Sequence, residues 1–356
     1  MKKASKLLSI FLITCFVLLL AACGGGNAEN ASNGTDTSNE GSTESEEKET
    51  YTLKFGHHLA DAHSLSKQVV EFKRIVEEKT DGQVQIEIYP AGQLGQQKDL
   101  LEGLKMGTVD MTLVDTGVLA NFYKPMALLD APYLFDNLDQ SVNALQGELG
   151  DKLMKGTLEE AQIRALALYP ASFRSTVLTE KSVDSPDSFQ LSDIAGKKIR
   201  TLDSPSVIET FKSFGAVPVS MPSGEVYSGL QTHVVEGVES NPEFLRTIKI
   251  DEVGKYIVDT KHVLVHQAIG ISDKKYNELP DDLRTALDEA LAESVEWYSS
   301  QAVEIDEKAR QALVEAGMEI IELDLAPFKE AASPYTEKFV ADNNLEELYE
   351  LIKAQQ

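Results

Sequence analysis

From residue 51 onward the apolar positions recur with two alternating periods. TLKFG (52–56) has the apolar density of a short strand, and His63 to Thr80 then sets Leu65, Val69, Phe72 and Val76 at helical spacing. QVQIEIYP (83–90) places Val84, Ile86 and Ile88 on one face, the pattern of a half-buried strand, and a proline ends it. GQQKDLLEGLKMG (95–107) returns to helical spacing between two glycines, and VDMTLV (109–114) is an apolar strand. Strand, helix, strand, helix, strand predicts parallel pairing through right-handed crossovers. Ligands of such sheets sit beyond the carboxyl ends of the strands, which directs attention to the loops starting at Gly56, Tyr89 and Val114.

Further along, IRALALYP (163–170), GKKIRTL (196–202) and GAVPVSM (215–221) are predicted strands, and EVYSGLQTHV (225–234) is a helix running into VVEGVESNP. HVLVHQAIGIS (262–272) is almost continuously apolar, which predicts a strand buried on both faces. Residues 281–316 run for 36 positions with neither glycine nor proline, striped by Leu283, Leu287, Leu291, Val295, Tyr298, Ala302, Ile305, Ala309 and Leu313. As one helix this run would be about 54 Å long, enough to brace two domains. With no internal repeat, a body of roughly 300 residues fits two α/β lobes.

Ahead of that body the pattern changes twice. Lys2, Lys3 and Lys6 precede an apolar run from Leu7 to Ala22, the layout of a secretory signal peptide over 1–22 rather than a membrane span. Its end, Leu20-Ala21-Ala22-Cys23, matches a lipoprotein processing box, so Cys23 is the expected lipidation site and the first mature residue. Residues 24–50 contain no large aliphatic residue and no aromatic. Such a segment cannot bury enough apolar surface to order itself, and it reads as a tether with a reach of roughly 30 Å. The expected picture is a globular body held extracytoplasmically at the cell membrane by the lipid alone.

Composition narrows the partners. The chain has 58 acidic and 33 basic residues, a formal charge of −25, and loses three further lysines with the signal. Such a surface argues against nucleic acid or an anionic membrane as a partner. Cys15 leaves with the signal and Cys23 carries the lipid, so no disulfide and no cysteine nucleophile remain. The sequence has no GxSxG elbow, phosphate loop, GxGxxG or HExxH. His57, His58 and His63 cluster near the end of the first strand, but their spacing defines no metal site, and no cofactor is implied. Trp297, one position before Tyr298, reads as packing. In a chain this acidic, Arg200 at the end of KKIRT is either a solvated strand end or a fixed receptor for an anion.

Several motifs occur in the order of a known family. IYPAGQLG (88–95), LLEGLKMGTVDMTL (100–113), LLDAPYLF (128–135), SFRS (172–175), SDIAGKKIRT (192–201) and EVYSGLQTHVVEGVESNP (225–242) carry the resemblance. The chain resembles the solute-binding proteins of tripartite ATP-independent periplasmic (TRAP) transporters, of the dicarboxylate-binding type, from Leu53 to the C-terminus. The lipidation box agrees, since the family includes lipid-anchored members. The resemblance implies a two-lobed periplasmic-binding-protein-like fold with the long helix spanning both lobes, closing on a small carboxylate that is handed to an ion-gradient-driven permease. It implies lobe I over 51–171 plus about 267–306, and lobe II over about 172–266 plus 307–356, linked near 171–173 and 262–267.

By the same resemblance Arg200 grips the ligand carboxylate, Arg174 supports that anion and Asn241 faces the ligand. His58, Gln97 and Asp115 fall at positions where relatives place polar contacts, although Gln97 stands where an acid is common, and Tyr227 is a possible pocket wall. Arginine suits this role because its planar fork accepts a carboxylate through two parallel hydrogen bonds and stays charged. The implied function is that of a receptor for an organic acid, a dicarboxylate or sugar acid, and not of an enzyme. The alternative is a sensing lipoprotein that passes a signal to a membrane receptor.

Overall fold

The alternation read in the first part of the body is realised as β1 (Tyr51–His57), α1 (Ser64–Lys79), β2 (Val84–Tyr89), α2 (Gln97–Met106) and β3 (Met111–Asp115) in a computed structural model that describes residues 49–355. The expected signal peptide, Cys23 and nearly all of the expected tether lie outside those residues. The caps agree with the sequence: His63 accepts a hydrogen bond from the Leu65 amide at the start of α1. Gly107, at φ 73°, closes α2 in the left-handed conformation that favours glycine. After β3 come α3 (Thr116–Leu119), α4 (Leu138–Leu145), α5 (Glu148–Ala161) and β4 (Arg164–Phe173). β4 passes into β5 (Ser175–Leu178) across the single residue Arg174.

Then follow β6 (Lys198–Thr201), α6 (Pro205–Ser213), β7 (Val217–Ser220), α7 (Val226–Gln231), β8 (Gly237–Ser240) and α8 (Pro242–Thr247). β9 (Tyr256–Val258) and β10 (Leu264–Ile271) precede α9 (Asp273–Glu278), α10 (Asp281–Ser299) and α11 (Ala302–Glu315). The chain ends in β11 (Glu319–Ile321), α12 (Ala326–Asn343) and α13 (Glu346–Lys353).

Two sheets result, in the orders β2-β1-β3-β10-β4 and β11-β9-β5-β8-β6-β7. β1 pairs in parallel with β2 and with β3, as the crossover pattern requires. β10 is buried at all eight positions, as its unbroken apolar run predicted, but it lies antiparallel to both β3 and β4. The chain therefore leaves the first sheet at Arg174 and returns to it between β9 and β10, over 259–263.

The run without glycine or proline is two helices rather than one. Trp297 has its carbonyl occupied by the Ser300 hydroxyl at 2.9 Å and the Gln301 side-chain amide at 2.7 Å. The Gln301 backbone N–H turns instead to the Tyr298 carbonyl, and the helix breaks there. α10 packs on α1 and β4, whereas α11 packs chiefly on α8, so the pair still joins the sides of the two sheets. Pro334 lies inside α12, and no described helix is long and apolar enough to cross a membrane.

Candidate ligand-binding site

Strand ends from both sheets converge on one cavity. From the first sheet come His58, just past β1, Asp115 at the end of β3, and Gln267 on β10, directly opposite Asp115 in register. The second sheet supplies Arg200 on β6, Ser240 at the end of β8 and Asn241 at the start of α8, and Arg174 enters from the β4–β5 junction. Leu59, Leu65, Leu202 and Phe244 form the apolar wall. The inner cavity is small, about 20 Å³, room for about one water molecule. It shares Arg200, Leu202 and Ser223 with an adjoining cleft of about 390 Å³, in the range that holds small ligands.

The two arginines are held differently. Arg174 is almost fully buried and grips Glu239 side-on: its Nε donates to Oε2, and its Nη2 donates to Oε1 at 2.9 Å and to the Glu239 carbonyl at 3.2 Å. Burial alone would lower the Arg174 pKa, but the Glu239 carboxylate raises it above the usual value. Arg200 meets backbone carbonyls instead. Its Nε and Nη2 donate to the Met221 carbonyl at 2.9 and 2.7 Å, and its Nη1 donates to the Glu239 carbonyl at 3.4 Å. One N–H on each Nη of Arg200 is left for another acceptor. Burial lowers the Arg200 pKa to about 10, which still leaves it charged at neutral pH.

Opposite the arginines, Asp115 accepts from the side-chain amides of Gln97 at 2.8 Å and Gln267 at 2.7 Å. The Asp115 backbone N–H donates to Gln97 Oε1 at 2.6 Å, which fixes which end of that amide carries the hydrogens. Gln97 Nε2 also lies 3.3 Å from His58 Nε2, so this nitrogen accepts and the proton resides on His58 Nδ1, which is buried and without a protein partner. His63 mirrors it: Nδ1 accepts from Leu65 and Nε2 has no partner. Burial lowers both pKa values, to about 4 for His58 and about 3 for His63, so each ring is neutral and offers one N–H. Gln267 Oε1 is a buried acceptor without a partner. Asn241 caps α8 by accepting from Phe244 at 2.8 Å, which leaves its amide nitrogen for the cavity it lines.

Of the residues singled out from the sequence, Arg200, Arg174, Asn241, His58 and Asp115 line the inner cavity. Gln97 does not; it lines the adjoining cleft, and its amide is engaged by Asp115. Tyr227 lies away from the cavity, and its hydroxyl donates to Glu252 at 2.7 Å. The buried residues of α7 are Val226, Gly229 and Leu230, and Tyr227 falls off that face of the helix. The cavity also takes in His63, grouped in the sequence with His57 and His58 but given no ligand role there, and Gln267, while Glu239 pairs with Arg174 behind it. Gln267 had a signal, being polar within an otherwise apolar buried strand, and Glu239 lies inside the VESNP stretch already singled out. Among the described residues no cluster of histidine, cysteine or acid side chains could hold a metal ion.

Two α/β lobes with a polar cavity at their converging strand ends have the layout of a binding protein for a small molecule. The chain matches the family described as DctP, bacterial extracellular solute-binding protein, family 7, over residues 55–343, and it belongs to that family. It is 33% identical over 272 residues to the C4-dicarboxylate-binding periplasmic protein DctP of Rhodobacter capsulatus, covering 76% of this chain and 79% of that one. A solute-binding protein of Roseobacter denitrificans is 30% identical over 282 residues, covering 79% of this chain and 84% of that one. The solved structure of that Roseobacter protein, with bound L-galactonate, superposes with a TM-score of 0.77 over 86% of this chain and 99% of that one, at 28% identity. A TRAP solute-binding protein of Xanthobacter autotrophicus with bound β-D-galacturonate gives 0.80 over 85% of this chain and all of that one, at 26% identity. The family and these neighbours are solute-binding transport proteins rather than enzymes, with an extracytoplasmic place of work.

Proposed function

We propose that the protein is the receptor of a TRAP transporter for a hydroxylated organic acid, of the sugar-acid class, with the ligand carboxylate seated on Arg200. The observation that carries this reading is the pair of unused N–H groups on Arg200, a buried guanidinium held in place by the Met221 and Glu239 carbonyls. Asp115, Gln267, Asn241 and the neutral rings of His58 and His63 supply acceptors and donors suited to hydroxyl groups. The galactonate and galacturonate bound by neighbours of the same fold support that class.

The lobes hinge where the chain changes sheets, at Arg174, over 259–263 and at the break between α10 and α11. Closure seals the acid before it passes to the membrane subunits of an ion-gradient-driven permease, with the body tethered by a lipid on Cys23. The test is calorimetric titration of the body from residue 49 onward with aldonates, uronates and small dicarboxylates. Two charge-assisted hydrogen bonds are at stake, so Arg200→Ala should weaken the best acid by about 100-fold or more. Arg200→Lys should recover little, because an ammonium cannot reproduce the fork. Unchanged affinity in Arg200→Ala would overturn the carboxylate assignment.

A further inference from the structure

We propose that Glu243 is a positioning residue for ligand retention: its carboxylate latches the start of α8 to the start of α1 beside the cavity, and so sets how long a bound acid stays. This rests on the reading of the protein as a receptor that closes on its ligand. α1 connects β1 to β2 of the first sheet, whereas α8 follows β8 of the second. The two helices pack on different partners, α1 on α10 and β2, and α8 chiefly on α11. Where their N-termini meet, Glu243 Oε1 accepts the Ser64 backbone N–H at 2.7 Å, and Oε2 accepts the Ser64 hydroxyl. Both residues are almost fully buried.

Each helix start supplies one residue to the cavity and one to the latch. On α1, His63 is the cap and lines the cavity, and Ser64 follows it directly. On α8, Asn241 is the cap and lines the cavity, and Glu243 lies in the first turn, two positions on. Glu243 Oε2 also lies 3.4 Å from Nδ1 of His63. An acid that draws His63 and Asn241 together therefore brings Ser64 and Glu243 within reach of each other. The Ser64 amide is one of the first-turn donors that α1 cannot satisfy itself, and the positive end of the helix favours a carboxylate there. Burial pushes the Glu243 pKa up, and the two Ser64 donors draw it back. When the sheets part, water solvates both partners, so the contact belongs to the closed form alone.

The experiment is stopped-flow binding of L-galactonate, D-galacturonate and succinate to the wild type, Glu243→Ala, Ser64→Pro and the double variant. Proline is at home in the first position of a helix, so Ser64→Pro removes both donors and keeps the start of α1. Each single variant should release the acid at least about 10-fold faster, the weight of one hydrogen bond to a charged group. Association should change by less than about three-fold, because the acid is met by the open form, where the latch is unmade. The double variant should release no faster than the faster single, since both remove one contact. Unchanged release in the single variants overturns the latch while the Arg200 reading stands. A loss of affinity through slower association alone, or effects that add in the double variant, overturns it equally, since both mark separate structural damage. Should Glu243→Ala not fold, Ser64→Pro decides. If none of the three acids binds the wild type, the receptor reading falls and the latch with it.

Discussion

Two buried carboxylates near the cavity meet opposite fates. Glu239 and Asp130 are both almost wholly removed from solvent, at 0% and 1% exposure. Burial raises the pKa of each, yet Glu239 ends at about 2 and Asp130 at about 7. The difference is the partner. Glu239 accepts two guanidinium donors of Arg174, whereas Asp130 receives only the hydroxyls of Ser204 at 2.8 Å and Thr116 at 3.4 Å, with Arg174 acting on it from a distance. Hydroxyls satisfy hydrogen bonding without supplying charge, so they offset only part of the desolvation of a carboxylate. The comparison thus shows what charged partners, Arg174 first and His262 after it, contribute to a buried carboxylate.

The most severe way to break the comparison is Arg174→Ala, which takes from Glu239 its strongest charged partner and leaves His262 and the Leu202 amide. Removing one partner of a buried pair leaves an uncompensated charge, and the expected loss is about 3–5 kcal/mol of unfolding free energy at pH 7 in a urea titration. The pH dependence supplies the signature. In the wild type the folded pKa of Glu239 lies below its unfolded value, so its contribution is full above pH 4.5 and is lost as the pH falls toward 2. In the variant the folded pKa should rise, because the largest charge holding it down is gone, so the deficit against wild type should be largest at neutral pH and smaller at low pH, where Glu239 takes up a proton. A deficit independent of pH would mean that packing around Arg174, not its charge, is what Glu239 relies on.

Arg200→Ala sharpens the contrast, because it removes the other guanidinium while leaving the Arg174 fork in place. Arg200 Nη1 is 3.9 Å from the carboxylate, and its actual hydrogen bonds go to the carbonyls of Met221 and Glu239. The stability cost should therefore be about 1–3 kcal/mol, that of unsatisfied carbonyls, without the pH signature of Arg174→Ala. Binding should fall at the same time by about 100-fold or more, about 2.7 kcal/mol, a loss comparable to or larger than the stability cost. A pH-dependent deficit as large as that of Arg174→Ala would show that both arginines, rather than one, hold Glu239 ionised.

These distinctions mark where the sequence stops being legible. The alternating periods from Tyr51 to Asp115 identify the parallel strands and their crossovers, because periodicity reports directly on which faces are buried. The burial of β10 is equally visible, but its antiparallel direction is not, since two-sided burial is the same in either orientation. The break in the long helical run depends on two side chains competing for the Trp297 carbonyl, a contest that propensity does not decide. At the site, the family pattern around KKIRT identifies Arg200 as the candidate ligand arginine and also marks Arg174. It could not show that Arg174 already holds a carboxylate of the protein, because one acid among 58 has no pattern of its own and the pairing is made across strands. Tyr227 falls off the buried face of α7, a phase fixed by that helix's neighbours in space and not by its sequence alone.

The mildest perturbation acts on the other member of the comparison. Asp130 lies against Thr116 and Gly117, just after the strand that ends in Asp115, and against Ser204, just after the strand that carries Arg200. The fit is close: a Cβ placed on Gly117 would collide with the Asp130 carboxylate and come within 2.6 Å of the Ser204 hydroxyl. Its folded pKa, about 7, exceeds the ordinary 3.8, so the folded state holds a proton that the unfolded chain releases. Stability from this group is therefore full below 3.8 and declines as the pH rises toward 7, the opposite slope to that of Glu239. Asparagine keeps an acceptor for Ser204 and Thr116 but never ionises. Asp130→Asn should accordingly melt a few degrees above wild type at pH 8, with the difference shrinking steadily toward pH 4. A melting-temperature difference that stays constant across that range would mean Asp130 is ionised throughout, and that some cation reaches it as Arg174 reaches Glu239.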